Sequence, residues 1–275
     1  MNTTILRHPA VAGRFYPDDS DDLRAEAQGY LSQDNSTKQP PLRALGCIAP
    51  HAGYVYSGHV AGAVFARVEV PRRCIVLCPN HTGVGRALAV MSEGAWQTPL
   101  GNVPIDAALA GALKQRFREL QEDATAHRAE HAAEVELPFL LLRQPELRFV
   151  PIALGTGQFE VLEQLGKALA DVVAAQSDPI LIVASSDMNH YESDAVTRAK
   201  DHRAIERILT LDPRGLFDVV TQQDISMCGF GPAVVMLTAA RQLGAKSAEL
   251  VKYATSGDIS GDRDMVVGYA GVAVV

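Results

Sequence analysis

Three apolar runs each give way to a short turn that carries a side chain able to bind a metal. Residues 45–49 lead into Pro50-His51-Ala52-Gly53-Tyr54, and residues 74–78 into Pro79-Asn80-His81-Thr82-Gly83. Residues 179–184 lead into Ser185-Ser186-Asp187-Met188-Asn189-His190. Short continuous apolar runs bounded by turn residues read as buried strands. In open α/β sheets, ligands gather in the crevice beyond the carboxyl ends of the strands. That placement draws residues distant in sequence into one crevice. A fourth turn, Met227-Cys228-Gly229-Phe230-Gly231-Pro232, precedes a helical pattern and adds a thiol.

The rest of the chain alternates in the same way. Helices are expected over 23–31, 107–116, 131–142, 159–175, 196–209, 213–221 and 232–243, the first capped by Asp19, Ser20 or Asp21. Further strands are expected over 87–91, 103–106, 148–154, 250–255 and 265–275, with a hairpin turn at 98–102. The polar stretch 32–41 reads as a loop. Residues 1–20 read as an irregular arm whose aromatics pack on the main body. This alternation predicts a single layered α/β domain over 1–275, with a central mostly parallel or mixed sheet flanked by helices.

A chain of 275 residues needs no disulfide staples to build a core. Its net charge of −7 argues against a nucleic-acid groove or an anionic membrane as main partner. Of its four cysteines, Cys47, Cys74 and Cys78 lie in apolar runs, where a thiol behaves as a small buried hydrophobe. Reduced thiols suit the cytoplasm. The N-terminal residues form no signal-peptide run, and no window approaches a membrane span. The chain has no P-loop, GxGxxG, GxSxG or HExxH, so nucleotide-dependent and serine-hydrolase chemistry lose their usual support.

Histidine is the commonest ligand for borderline metals, and His51 and His81 occupy nearly the same strand-end context. Gly53 permits a sharp turn or close ligand approach. Cys228 lies just before a helix, whose N-terminus lowers a thiol pKa; taken alone it reads as an inert thiol or a nucleophile, and with two strand-end histidines as a third metal ligand. Asp187 is expected to ligate a metal or to orient an imidazole; its alternative role is the N-cap of a following helix. His190 is the candidate general acid/base. His131 and Glu134 stand one helical turn apart, as a supporting pair, a metal half-site or a solvated helix start. His8, His59, His127 and His202 lack the strand-end context and read as structural or exposed. Asp258, Asp262, Arg263 and Asp264 form a polar loop that either rims the site or is simply solvated.

Taken in order, several motifs resemble the Memo family, whose prokaryotic members are called AmmeMemoRadiSam system protein B. They are Ala12-Gly13-Arg14-Phe15-Tyr16-Pro17, Pro50-His51-Ala52-Gly53-Tyr54, Thr98-Pro99-Leu100-Gly101, Glu130-His131 with Glu134 and Leu137-Pro138-Phe139, Ser185-Ser186-Asp187 with His190, and Cys228-Gly229. The resemblance runs from about residue 8 to the C-terminus. It implies a fold similar to class III extradiol dioxygenases, which use non-haem Fe(II). It also implies metal binding through His51, His81 and Cys228, with Asp187 and His190 as other pocket residues. The name of the bacterial group implies association with an AMMECR-type protein and a radical SAM protein.

Iron (Fe2+) is the foremost expected cofactor, with copper or zinc as alternatives. The expected activity is that of a dioxygenase-like oxidoreductase acting on a small substrate. The alternatives are a non-catalytic iron- or copper-binding redox protein, a peptide- or partner-binding module reusing the pocket, and a zinc hydrolase. One departure matters. A ring-cleaving Fe(II) site uses two histidines and a carboxylate, whereas the third candidate here is a softer, oxidisable thiolate.

Overall fold

The computed structural model describes residues 5–33 and 40–275. In chain order its strands are β1 (Leu6–Arg7), β2 (Gly46–Ala49), β3 (Arg73–Pro79), β4 (Leu88–Val90), β5 (Ala95–Thr98), β6 (Gly101–Pro104), β7 (Gln121–Glu122), β8 (Arg148–Leu154), β9 (Ile180–Ser185), β10 (His190–Glu192), β11 (Ala248–Thr255) and β12 (Val266–Val274). The helices are α1 (Ser20–Ser32), α2 (Tyr54–Arg67), α3 (Ala107–Arg116), α4 (Ala132–Arg143), α5 (Phe159–Ala174), α6 (Asp194–Leu209), α7 (Pro213–Gln222), α8 (Phe230–Gln242) and α9 (Gly257–Ser260). The architecture is α/β, with helices on both faces of a mixed sheet.

Its centre is parallel and runs β2-β9-β3-β8 in space. β12 adds antiparallel to β2, and β11 pairs antiparallel with β12. β4 closes the other side antiparallel to β8. The central strands lie between two helical layers, which is why they read as continuous apolar runs. Strand periodicity divides β3 cleanly between the layers. Ile75 and Leu77 face the cluster built with α5 and α8, whereas Cys74, Val76 and Cys78 face the one built with α1, α2 and α4. The three strand cysteines are therefore core residues, as expected.

Two local features set up the site. The small residues of α2 allow α1 to come close: a Cβ added at Gly62 would lie 2.6 Å from the Tyr30 Cβ. The N-terminal arm is pinned by one buried carboxylate. Glu134 pairs with the Arg7 guanidinium and accepts from the Ala10 N–H at 2.8 Å, the Val11 N–H at 3.0 Å and the Tyr16 hydroxyl at 2.6 Å. Arg7 also donates to the carbonyls of His127 and Glu130 at 3.0 and 2.6 Å. This stitching presses Phe15 against the start of α4.

Asp19 is the N-cap of α1, accepting from the Asp21 and Asp22 N–H groups. Within the polar stretch 32–41, Ser32 still belongs to α1, and residues 34–39 lie outside the described residues. Three readings are corrected. No helix follows Ser185-Ser186-Asp187, because the chain passes into β10 and the next helix starts at Asp194. The alternative helix-cap role of Asp187 therefore falls. Residues 258–264 do not line the crevice, because Arg198 and Arg263 tie Asp258 and Asp194 together in an ion-pair network against α6. Glu134 and His131 do not act as a pair, since the carboxylate is committed to the arm.

Candidate metal centre

The parallel strands β2, β9 and β3 are spatial neighbours, so their carboxyl ends open onto one crevice. His51 stands two residues beyond β2, His81 two beyond β3 and Asp187 two beyond β9. Cys228 arrives from the turn before α8. The His51 Nε2 lies 3.3 Å from the Cys228 Sγ. Ligand atoms of His51, His81 and Cys228 all fall within 4.8 Å of one another. An ion at about 2.0–2.3 Å from each donor spans roughly that separation. These residues lie on a cavity of about 600 Å³, with His131, His190 and Asp187 also in its wall.

The Nδ1 of each of three rings is already engaged. His51 Nδ1 is 2.8 Å from the Ser185 Oγ, and His81 Nδ1 is 2.9 Å from the Glu130 Oε1. His190 Nδ1 is 2.8 Å from the Ser226 carbonyl, which only accepts, so this nitrogen carries the proton. Rings held through Nδ1 leave Nε2 free, the usual arrangement behind a metal-ligating or acid/base histidine.

Glu130 is the carboxylate that orients an imidazole. It is fully buried, and it also accepts the His81 N–H at 2.6 Å and the Ala132 N–H at 2.9 Å. Burial opposes its charge, but these donors outweigh burial and lower its pKa. Burial likewise opposes charge on His81, yet the hydrogen bond and charge of Glu130 raise that ring above the ordinary histidine value. His51 is held well below 6.5 by burial, with His131 and His81 adding repulsion. It is neutral around neutral pH.

Asp187 reaches the site by a different contact from the one expected. Its Oδ1 accepts the backbone N–H of His51 at 2.9 Å, and its own N–H points to the Cys228 Sγ at 3.3 Å. It fixes the turns that carry His51 and Cys228 relative to each other and orients no ring. Burial raises its pKa, against the opposing effect of His190. Cys228 departs from expectation as well. Burial and the Asp187 charge push its thiol pKa well up, and the neighbouring N–H groups compensate only in part. The start of α8 alone does not make a thiolate. A bound cation would.

His131 does reach the cavity. It stacks on His81 with centroids 4.7 Å apart and meets Phe15 edge-on at 4.9 Å. His81, Glu130 and His131 form a second metal-competent group, but the Glu130 oxygens are already satisfied by three N–H donors and need no ion. His127 is buried beside Trp96 with its pKa held at about 4 by burial, a structural histidine as its context suggested. Tyr191 was not legible as a site residue. It sits in a bulge of β10 at φ 59° with its side chain exposed in the cavity wall. Glu130 was legible only as part of a motif, and Ser185 only as part of a turn.

Gly229 locks the cysteine turn onto the sheet. A Cβ there would lie 2.3 Å from the Ser185 carbonyl oxygen and 2.4 Å from the Ser186 Cβ. Gly229→Ala is therefore expected to displace Cys228 from the His51–His81 group and weaken any metal affinity there, with a destabilisation of about 1–3 kcal/mol from overpacking. Metal titration together with urea denaturation checks both effects. Retention of wild-type metal affinity would show that the turn is not needed to place the thiol.

An α/β sheet with a parallel centre and two histidines and a cysteine gathered beyond its strand ends defines a class of metal-competent crevice proteins. Within that class the chain belongs to the Memo family, whose model, described as Memo-like protein, matches residues 7–273. The chain is 41% identical to a MEMO1 family protein of Methanopyrus kandleri, over 97% of this chain and 98% of that protein. It is 38% identical to a MEMO1 family protein of Methanothermobacter thermautotrophicus, over 97% and 99% of the two chains. Among solved structures it is similar in fold to the uncharacterized protein JW3007 from Escherichia coli K12. That match has a TM-score of 0.58 at 13% identity and covers 84% of this chain and 100% of the other. Among the described residues, no helix is long and apolar enough to cross a membrane.

Proposed function

We propose that this Memo-family chain holds a redox-active transition metal, foremost iron, through the His51 Nε2, the His81 ring and the Cys228 Sγ, and acts as an oxidoreductase on a small molecule. The observation that carries the proposal is the convergence of two imidazoles and a thiol at one end of the sheet, in the wall of an open cavity. Iron bound there would supply one-electron and O2 chemistry. The side chains supply the rest. His190, with Nδ1–H bound to the Ser226 carbonyl, presents Nε2 as a proton acceptor toward the cavity. Asp187 holds the His51 and Cys228 turns together. Phe15 and Tyr191 add aromatic surface to the wall.

The test is anaerobic purification without chelator or affinity tag, metal analysis, and then O2 uptake with candidate substrates. Bound iron with substrate-dependent O2 consumption supports the reading. Tight iron or copper binding without O2 consumption favours a second reading, a non-catalytic metal-binding redox protein. The soft thiol in place of a hard carboxylate favours that second reading. Protein with neither metal nor metal affinity would remove both.

The protonation states predict the stoichiometry of proton release. The Cys228 thiol is protonated at neutral pH and must lose its proton to bind metal, whereas His51 is already neutral. His81 holds its proton to a higher pH than an ordinary histidine. Metal binding is therefore expected to release about one proton above the raised pKa of His81, approaching two as the pH falls below it. Affinity should fall over that same range. Calorimetry in buffers of different ionisation enthalpy measures this directly. Release that stays at zero would exclude Cys228 as a thiolate ligand.

Glu130→Gln loses the carboxylate behind His81. It is expected to weaken metal binding by about 10–100-fold, the usual cost of removing such a support. The same exchange at Asp187 should cost less, because Asp187 touches no imidazole Nδ1. Chelator competition ranks the two, and the reverse order would overturn the assignment of Glu130.

A further inference from the structure

Glu136 is fully buried, and its Oε2 has no hydrogen-bond partner. Its Oε1 lies 2.8 Å from the Ser185 Oγ. That hydroxyl is also 2.8 Å from the Ala132 carbonyl oxygen and 2.8 Å from the His51 Nδ1. A serine hydroxyl has one proton to give and two lone pairs that accept. The Ala132 carbonyl can only accept, so it takes the hydroxyl proton. The other two contacts must then be donors to Oγ. The His51 Nδ1 supplies N–H. Glu136 can donate only if it is a carboxylic acid. An ionised Glu136 would leave two oxygens facing each other at 2.8 Å without a proton between them, and half a buried negative charge on an orphaned Oε2.

From this count we infer that Glu136 is a neutral, proton-donating carboxylic acid, and that through Ser185 it positions His51 with Nδ1 protonated and Nε2 bare toward Cys228. Every contact in the chain is then satisfied. Glu136 donates to the Ser185 Oγ, the His51 Nδ1–H donates to the same oxygen, and Ser185 donates to Ala132. At the far side of the ring the Cys228 S–H meets the bare Nε2 at 3.3 Å. The lone Oε2 is left as an uncharged carbonyl oxygen, the least costly form in which to bury it unpaired. The nearest other titratable groups give no reason for charge on Glu136. The Tyr54 hydroxyl donates instead to the Val135 carbonyl at 2.8 Å; burial pushes the Glu136 pKa well up and the Asp187 charge adds to it, outweighing the lowering effect of the Ser185 contact. Glu136 and Ser185 are positioning residues: they touch the ligand-bearing ring or its partner, and neither lines the cavity.

Two spectroscopic readouts test the protonation pattern on the whole chain and without metal. At pH 7 the wild type should show the infrared carbonyl stretch of a buried carboxylic acid, sensitive to deuterium and absent in Glu136→Gln. Nitrogen-15 NMR should show His51 protonated at Nδ1 in the wild type and in Glu136→Gln, whose amide N–H replaces the donor. In Ser185→Ala the ring should become a mixture of tautomers. The consequence for binding rests on the metal-site reading above. Zn2+ affinity, by chelator competition, should stay within about 3-fold of wild type in Glu136→Gln and fall by about 10–100-fold in Glu136→Leu and Ser185→Ala. If Glu136→Leu fails to fold, Ser185→Ala still decides the outcome. Absence of the infrared band, a wild-type His51 protonated only at Nε2, or a Glu136→Gln as impaired as Ser185→Ala would overturn the inference. A wild type that binds no Zn2+ would instead count against the metal site alone, because the band and the tautomer still settle the state of Glu136.

Discussion

Cys228→Ser is expected to lower affinity for copper and zinc by more than the roughly 10–100-fold that changes behind a ligand produce, and to leave Mn2+ binding nearly unchanged. The reason is the donor set. His51 and His81 offer borderline nitrogen, and Cys228 supplies the only soft donor in the group. Cys228→Asp is the sharper comparison. It would restore two histidines and a carboxylate, the set that suits Fe(II) with open positions. Under the oxidoreductase reading this variant keeps iron and gains reactivity with O2. Under the reading as a non-catalytic metal-binding redox protein it loses its preference for copper. Parallel titrations with Cu(I), Zn2+, Fe2+ and Mn2+ under anaerobic conditions make the measurement. An unchanged metal profile in both variants would remove Cys228 from the ligand set.

Glu134→Ala is expected to cost about 3–5 kcal/mol, because it leaves the Arg7 guanidinium buried without its counter-charge. Both partners are buried, with side chains 4% and 0% exposed, so solvent screens the pair little. The loss also orphans the Ala10 and Val11 N–H groups and the Tyr16 hydroxyl. Against a typical total of about 5–15 kcal/mol, this is a large fraction of the stability of the fold. The arm carries Phe15, so its release should also open the cavity beside His131. Denaturant unfolding measures the first effect, and proteolysis within residues 5–17 the second. A variant that loses under about 1 kcal/mol and keeps the arm protected would show that other contacts hold it.

The two predictions differ in how much of their basis could be read from the chain. Cys228 was a candidate ligand from its turn and from its company of strand-end histidines. Glu134 was visible as a neighbour of His131 and as part of a family motif, without its partners. Its actual partners, Arg7 and Tyr16, lie 127 and 118 residues away. No local pattern announces a pairing of that kind.

The sequence by itself determined the central strands, most of the helices and the turns that carry the chemistry, but not the short strands β1, β5, β7 and β10. Apolar runs must be buried, and turn residues must end them, so His51, His81 and Asp187 were placed by local physics and the strand-end rule. Tertiary structure decided what each group does there. Glu130, and not Asp187, holds an imidazole, because the strand order β2-β9-β3 sets His81 beside the start of α4. Cys228 stays a thiol because its burial and the charge of Asp187 outweigh the N–H groups around it. Ser185 and Glu136 join into one hydrogen-bonded chain with His51 only when α4 packs against β9 and β3. Hydrogen-bond partners and desolvation are properties of a residue's surroundings in space. A sequence fixes those surroundings only through the whole fold.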